Sequence, residues 1–82
     1  MSNYISYTVT LNYPSRKSDD EKGWVISYRQ DTIRTTTSRE EAIKLARDHR
    51  LRPEDYVYII ERRGTISRSV YSRDINREHS MY

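Results

Sequence analysis

Residues 4–13 read YISYTVTLNY, a run in which Ile5, Tyr7, Val9, Leu11 and Tyr13 alternate with Tyr4, Ser6, Thr8, Thr10 and Asn12. A period of two in β-branched and aromatic residues suits a pleated strand with one buried face, and it is incompatible with the 3.6-residue period of a helix. The chain must therefore build its core on a β layer. Pro14 ends this strand in the sequence reading, and residues 15–23, SRKSDDEKG, read as a polar connecting loop.

The same period recurs downstream. Trp24, Ile26 and Tyr28 alternate with Val25, Ser27 and Arg29, both sides carrying some apolar weight, so the pattern leaves open which side is buried. Gln30 and Asp31 then read as a turn into a short threonine-rich strand over 32–37 that pairs back on its predecessor. Residues 56–62 alternate Val57 and Ile59 with Tyr56, Tyr58 and Ile60, and a reversal at Arg63 and Gly64 leads into 65–72. Those two runs make a hairpin, with Gly64 supplying a positive φ. In the second arm Ile66, Arg68 and Val70 oppose Ser67, Ser69 and Tyr71.

One segment alone reads as helix. Ser38 followed by Glu41 forms a capping box, Glu40 and Glu41 complement the positive end of the helix dipole, and Arg47, His49, Arg50 and Arg52 lie toward the negative end. Ala42, Ile43, Leu45 and Ala46 supply the apolar stripe, and Pro53 bars continuation. The expected fold class is α+β: an antiparallel sheet of four to five strands with one helix packed on one face. Residues 1–72 read as a single domain and 73–82 as a flexible basic and polar tail.

With these elements placed, a wider pattern is visible over about residues 23–72. It comprises Gly23-Trp24-Val25 at a strand start, Glu41-Ala42-Ile43 and Ala46-Arg47 on the helix, and Arg63-Gly64-Thr65-Ile66 in the hairpin. This resembles family 2188 of the domains of unknown function, small bacterial and phage proteins built as two strands, a helix and two strands. The resemblance implies that fold and brings no catalytic residue or cofactor with it. The chain departs from the family in its strand over 4–13, which suggests an added edge strand, and in the basic Arg62-Arg63 pair where an acidic residue before the glycine is common.

Composition narrows the function classes. The 82 residues include 12 arginines against 3 lysines, with 8 tyrosines and Trp24 but no phenylalanine, and the formal net charge is +3. Arginine grips phosphate bidentately and stacks on flat rings, which leans the chain toward nucleic acid or an acidic protein surface. There is no cysteine, so neither a thiol nucleophile nor a zinc-thiolate cluster is available, and a reducing, cytoplasmic setting is the expectation. Asp19, Asp20 and Glu21 are adjacent rather than spaced as calcium ligands. His49 and His79 are the only imidazoles, and no spacing joins them to a partner such as Glu61 or Tyr71 for acid–base work. The reading is a non-enzymatic protein with no metal and no cofactor. No apolar run is long enough to span a bilayer.

One helix covers one sheet face. If Val57 and Ile59 point toward it, Tyr56, Tyr58 and Ile60 point away, beside Tyr71 and the hairpin arginines. The expected site is therefore Tyr56, Tyr58 and Tyr71 as stacking surfaces for RNA or single strands. Arg62, Arg63, Arg68 and Arg73 would be its phosphate contacts, with Arg47, Arg50 and Arg52 as a second basic group near the helix end. The alternative is a phage-type accessory protein or inhibitor that docks on an acidic host protein through a sheet edge or the apolar sheet face. The third reading is a homodimer joined through its tyrosines.

Overall fold

The alternation in residues 4–13 does become a strand, but the strand runs on well past Pro14. The computed structural model describes residues 4–19, 21 and 23–80. In it β1 (Ile5–Asp19) and β2 (Gly23–Thr36) form a long antiparallel hairpin, followed by α1 (Arg39–Asp48). Then come β3 (Tyr56–Arg63), β4 (Ile66–Asp74) and β5 (Glu78–Ser80), and the sheet order is β2-β1-β3-β4-β5. All pairings are antiparallel, and α1 packs against β1, β2, β3 and β4. This is the expected α+β class, with five strands and one helix.

Four details differ from the sequence reading. Pro14 sits within β1, opposite Tyr28, because β1 loses its β3 neighbour after Asn12 and from there needs backbone donors on one side only. Gln30 and Asp31 make no turn. They pair with Asn12 and Leu11, and β2 continues unbroken except for a bulge near Ile33, opposite the Val9/Thr10 step. The N-terminal strand is an inner strand between β2 and β3 rather than an edge. Finally, the segment read as a tail is tied to the sheet. Asn76 N donates to the Asp74 carboxylate at 2.8 Å, Asp74 N donates to Arg77 O at 2.9 Å, and Glu78–Ser80 pairs with β4.

The core lies between α1 and the helix-side face of β1, β3 and β4. Tyr7, Val9, Val57, Ile59 and Tyr71 come from the strands, and the small residues Ala42 and Ala46 let the helix sit close. Each large aliphatic side chain buried this way contributes about 1.5–3 kcal/mol relative to exposure. The helix starts where the sequence says it should, because Glu41 N donates to Ser38 Oγ at 3.2 Å. The reciprocal half of the capping box is replaced: Ser38 N donates to Thr36 Oγ1, while the Glu41 carboxylate accepts from Thr36 Oγ1 and pairs with Arg34 on β2.

Between α1 and β3 the chain turns through Arg52 and Asp55. Asp55 N donates to Arg52 O at 3.0 Å, Pro53 follows Arg52, and Glu54 takes a φ of 75°, the pattern of a type II turn. The buried Asp55 carboxylate closes that turn by accepting from Arg52 N and Nε.

Candidate functional site

Register sorts the strand residues into two faces. Tyr7 opposes Glu61, Val9 opposes Ile59 and Leu11 opposes Val57, so these side chains share the helix side. Ser6 with Arg62, Thr8 with Ile60, Thr10 with Tyr58 and Asn12 with Tyr56 share the other side. The split of β3 into a buried Val57/Ile59 edge and an outward Tyr56/Tyr58/Ile60 edge follows the sequence reading. Tyr56 and Tyr58 stand two residues apart on this uncovered face with ring centroids 5.6 Å apart and planes tilted by 31°. Their neighbours on β1 and β4 are short, among them Ser6, Thr8, Thr10, Ser69 and Ser72, so β3 forms a raised ridge.

Tyr71 does not join them. A bulge shifts the β3–β4 register so that Ile59 opposes Tyr71 while Ile60 opposes Ser69, and Val70 is the extra residue. That one insertion reverses the alternation for the rest of β4, carrying Tyr71 and Arg73 to the helix side. Tyr71 is 1% exposed and belongs to the core. Burial, and next the nearby Glu78 carboxylate, push its phenol above the ordinary tyrosine range.

The arginines are divided too. Arg63 Nε and Arg68 Nε both meet Glu61 Oε1, at 3.0 and 3.1 Å, and Glu61 is 1% exposed on the helix side. Two guanidiniums therefore offset the cost of holding this carboxylate in the interior. Arg73 donates through Nη1 to Ala46 O at 2.7 Å and to His49 O at 3.0 Å, which satisfies carbonyls at the end of α1. Arg52 pairs with Asp55, and Arg47 and Arg50 are exposed near the helix end, on the helix side of the molecule.

Of the expected phosphate contacts, Arg62 alone faces outward beside the tyrosines. Its Nε donates to Gly64 O at 3.3 Å, and with Tyr4, Ser6 and Gly64 it lines a surface pocket. Gly64 adopts φ 57° at the first central position of the β3–β4 turn, as that reversal needs.

The sequence reading passed over the outer half of the β1–β2 hairpin. β3 stops pairing at Asn12, so residues 13–19 and 23–29 pair only with each other and project as a two-stranded ribbon. Seven residues of strand span about 24 Å, which accounts for the elongated 52 × 29 × 18 Å outline. On the face continuous with Tyr56 and Tyr58, Trp24, Ile26 and Tyr28 are 73%, 53% and 67% exposed, and Arg16 opposes Ile26. The apolar weight on both sides of residues 24–29 was the available signal: neither side is buried.

Both faces carry more arginines than carboxylates, since register puts Arg29, Arg34, Arg63, Arg68 and Arg73 on the helix side and Arg16 and Arg62 on the uncovered side. Among the described strand side chains, register puts Asp31, Glu61 and Glu78 on the helix side and only Asp74 on the uncovered side. What lies open is thus a strip of Tyr4, Tyr58, Tyr56, Tyr28 and Trp24 with Arg62 toward one end and Arg16 toward the other. No helix among the described residues is long and apolar enough to cross a membrane. No protein-family model, curated protein or solved structure matches this chain.

Proposed function

We propose that this protein is a non-enzymatic binding module for RNA or single-stranded nucleic acid, which lies along the uncovered sheet face. The observation that carries this reading is the make-up of that face: Tyr56, the half-buried Tyr58 and the exposed rings of the ribbon lie on it, flanked by Arg62 and Arg16, with Asp74 the one carboxylate among the described strand side chains there. Bases stack on such rings at about 1–3 kcal/mol each without sequence preference. Splayed single-stranded bases reach a flat sheet; those in a duplex do not.

Compared with the full set of basic residues in the sequence, the working set is smaller: Tyr56, Tyr58, Tyr4 and Arg62, joined by Arg16, Tyr28 and Trp24. Arg63, Arg68 and Arg73 act in the fold instead. With two guanidiniums on the face, the dependence of log affinity on log salt has a slope of about −1.4 for a single strand, and stacking supplies most of the affinity.

Anisotropy of a labelled single-stranded oligonucleotide titrated with the full chain tests this. Tyr58→Ala weakens binding by about tenfold or more, Arg62→Glu weakens it and lowers the salt slope, and Arg50→Glu, exposed on the helix side, does neither. Absence of binding at low salt, or equal affinity of Tyr58→Ala and the unaltered chain, overturns the reading. The exposed Trp24, Ile26 and Tyr28 stripe favours a second reading, a protein partner docked on the ribbon, for which affinity is insensitive to salt and the oligonucleotide is ignored.

A further inference from the structure

The ribbon has two free backbone edges, and they differ. Along residues 13–19 the β1 edge carries Pro14, which has no N–H to offer, and the charged Arg16. Both are devices that discourage strand addition. The β2 edge is the terminal edge of the whole sheet and is 14 residues long, and its outer part, Trp24-Val25-Ile26-Ser27-Tyr28, has no charge and no proline. Charge returns only nearer the globular body, at Arg29, Asp31 and Arg34, where a bulge also interrupts the register. At the opposite edge of the sheet, β5 is three residues long. An uncharged, β-prone edge on a ribbon with no other support is the one unguarded place in the sheet among the described residues. A two-stranded ribbon is itself marginal in water.

We infer that the β2 edge pairs with the β2 edge of a second copy of this chain, antiparallel about a two-fold axis through Ile26. The sequence of the edge argues for a second copy over an unrelated strand. Centred on Ile26, antiparallel pairing sets Trp24 opposite Tyr28 of the other copy, Ile26 opposite its own counterpart and Val25 opposite Ser27. The aromatic-aliphatic stripe is thus its own complement, as an isologous contact requires. Arg29 falls opposite Gly23, so no like charges meet across the strands of the seam. The pairing joins two five-stranded sheets into one and aligns the two Trp24-Ile26-Tyr28 stripes on a single face. It uses backbone groups of the edge and does not depend on the nucleic-acid reading.

Light scattering on the full chain over a dilution series, together with single cysteines on the naturally cysteine-free background, tests the inference. The expected result is twice the monomer mass at high concentration, falling on dilution, and monomer throughout for Ile26→Lys, whose exposed position leaves the fold intact by circular dichroism. Ile26→Cys, facing itself across the axis, is expected to form an intermolecular disulfide on mild oxidation. Trp24→Cys is not, since its counterpart lies about 14 Å away along the seam. Face-to-face stacking of two sheets also permits a disulfide between facing strands, so a mixture of Val25→Cys and Ser27→Cys chains separates the two arrangements: these residues lie opposite each other across the edge seam and link there, whereas stacking of the Trp24-Ile26-Tyr28 faces turns both away from the other copy. Monomer mass at every concentration overturns the inference. So does a dimer in which Ile26→Cys fails to link, or one in which Trp24→Cys links equally well. Mass and cross-linking read the pairing, while oligonucleotide affinity of Tyr58→Ala and Arg62→Glu reads the other face residues, so the two readings fail separately.

Discussion

The two halves of the β1–β2 hairpin are made of similar residues and have opposite fates. In the inner half Tyr7 and Val9 are flanked by β3, covered by α1 and buried; in the outer half Trp24, Ile26 and Tyr28 are flanked by one strand and exposed. Hydrophobic character does not decide between them. What decides is whether a third strand and a helix arrive: pairing of β1 with β3 stops at Asn12, and Trp24, Ile26 and Tyr28 lie on the face turned away from α1. Buried core is concentrated at one end of the hairpin, and exposed apolar surface at the other.

The largest loss is expected at Ile59, which opposes Val9 at the centre of the covered half. Ile59→Ala is expected to cost about 2–5 kcal/mol in urea unfolding, since a fully buried branched side chain leaves a cavity that the flanking strands cannot close. A cost near zero would mean that the core lies elsewhere. Next is Arg73, whose guanidinium holds two carbonyls at the end of α1. Arg73→Ala is expected to lose about 1.5–3 kcal/mol, as for hydrogen bonds from a charged donor. Because Arg73 serves the fold, its loss acts on oligonucleotide binding only through unfolding, so affinity measured well below the melting temperature stays unchanged.

A smaller effect is expected at Ser38. Ser38→Ala removes the bond to Glu41 N and costs about 1 kcal/mol, while Ser38→Asp retains most of the stability. Thermal melts of the three proteins read this out, and equal melting temperatures would show that Thr36 and Glu41 hold the helix start without the serine.

Where each structural feature was legible depends on the range of its cause. The start of α1 follows from Ser38 and Glu41, the β3–β4 turn from Gly64, and the outward turn of Tyr56 and Tyr58 from alternation with Val57 and Ile59. All are local, so adjacent residues carry the information. The alternation in β4 does not place Tyr71, because a single inserted residue at Val70 inverts the period and no residue type at that position announces a bulge. The fold partners of Arg68 and Arg73 are not legible in the sequence because they are distant along it, whereas the Arg63–Glu61 and Arg52–Asp55 pairs are local. Glu61 gathers Arg68 from the next strand, and Arg73 reaches back to α1 across 27 residues. Pro14 read as a stop for the same reason: whether a strand tolerates proline depends on which neighbours it lacks, and the loss of β3 beyond Asn12 is a property of the sheet.

The smallest stability effect is expected at the outer end of the hairpin. Ile26→Ala on the ribbon, measured at a dilution where the chain is monomeric, is expected to change unfolding free energy by no more than about 0.5 kcal/mol, because the side chain is already half in water and opposes only Arg16. Raising the protein concentration should then separate the two proteins. The unaltered chain gains apparent stability by mass action as copies associate, and Ile26→Ala gains less, since it has given up the apolar pair at the two-fold axis. A large deficit already present in the monomer would instead mean that the ribbon packs on the body, and that the outer half of the hairpin belongs with the core after all.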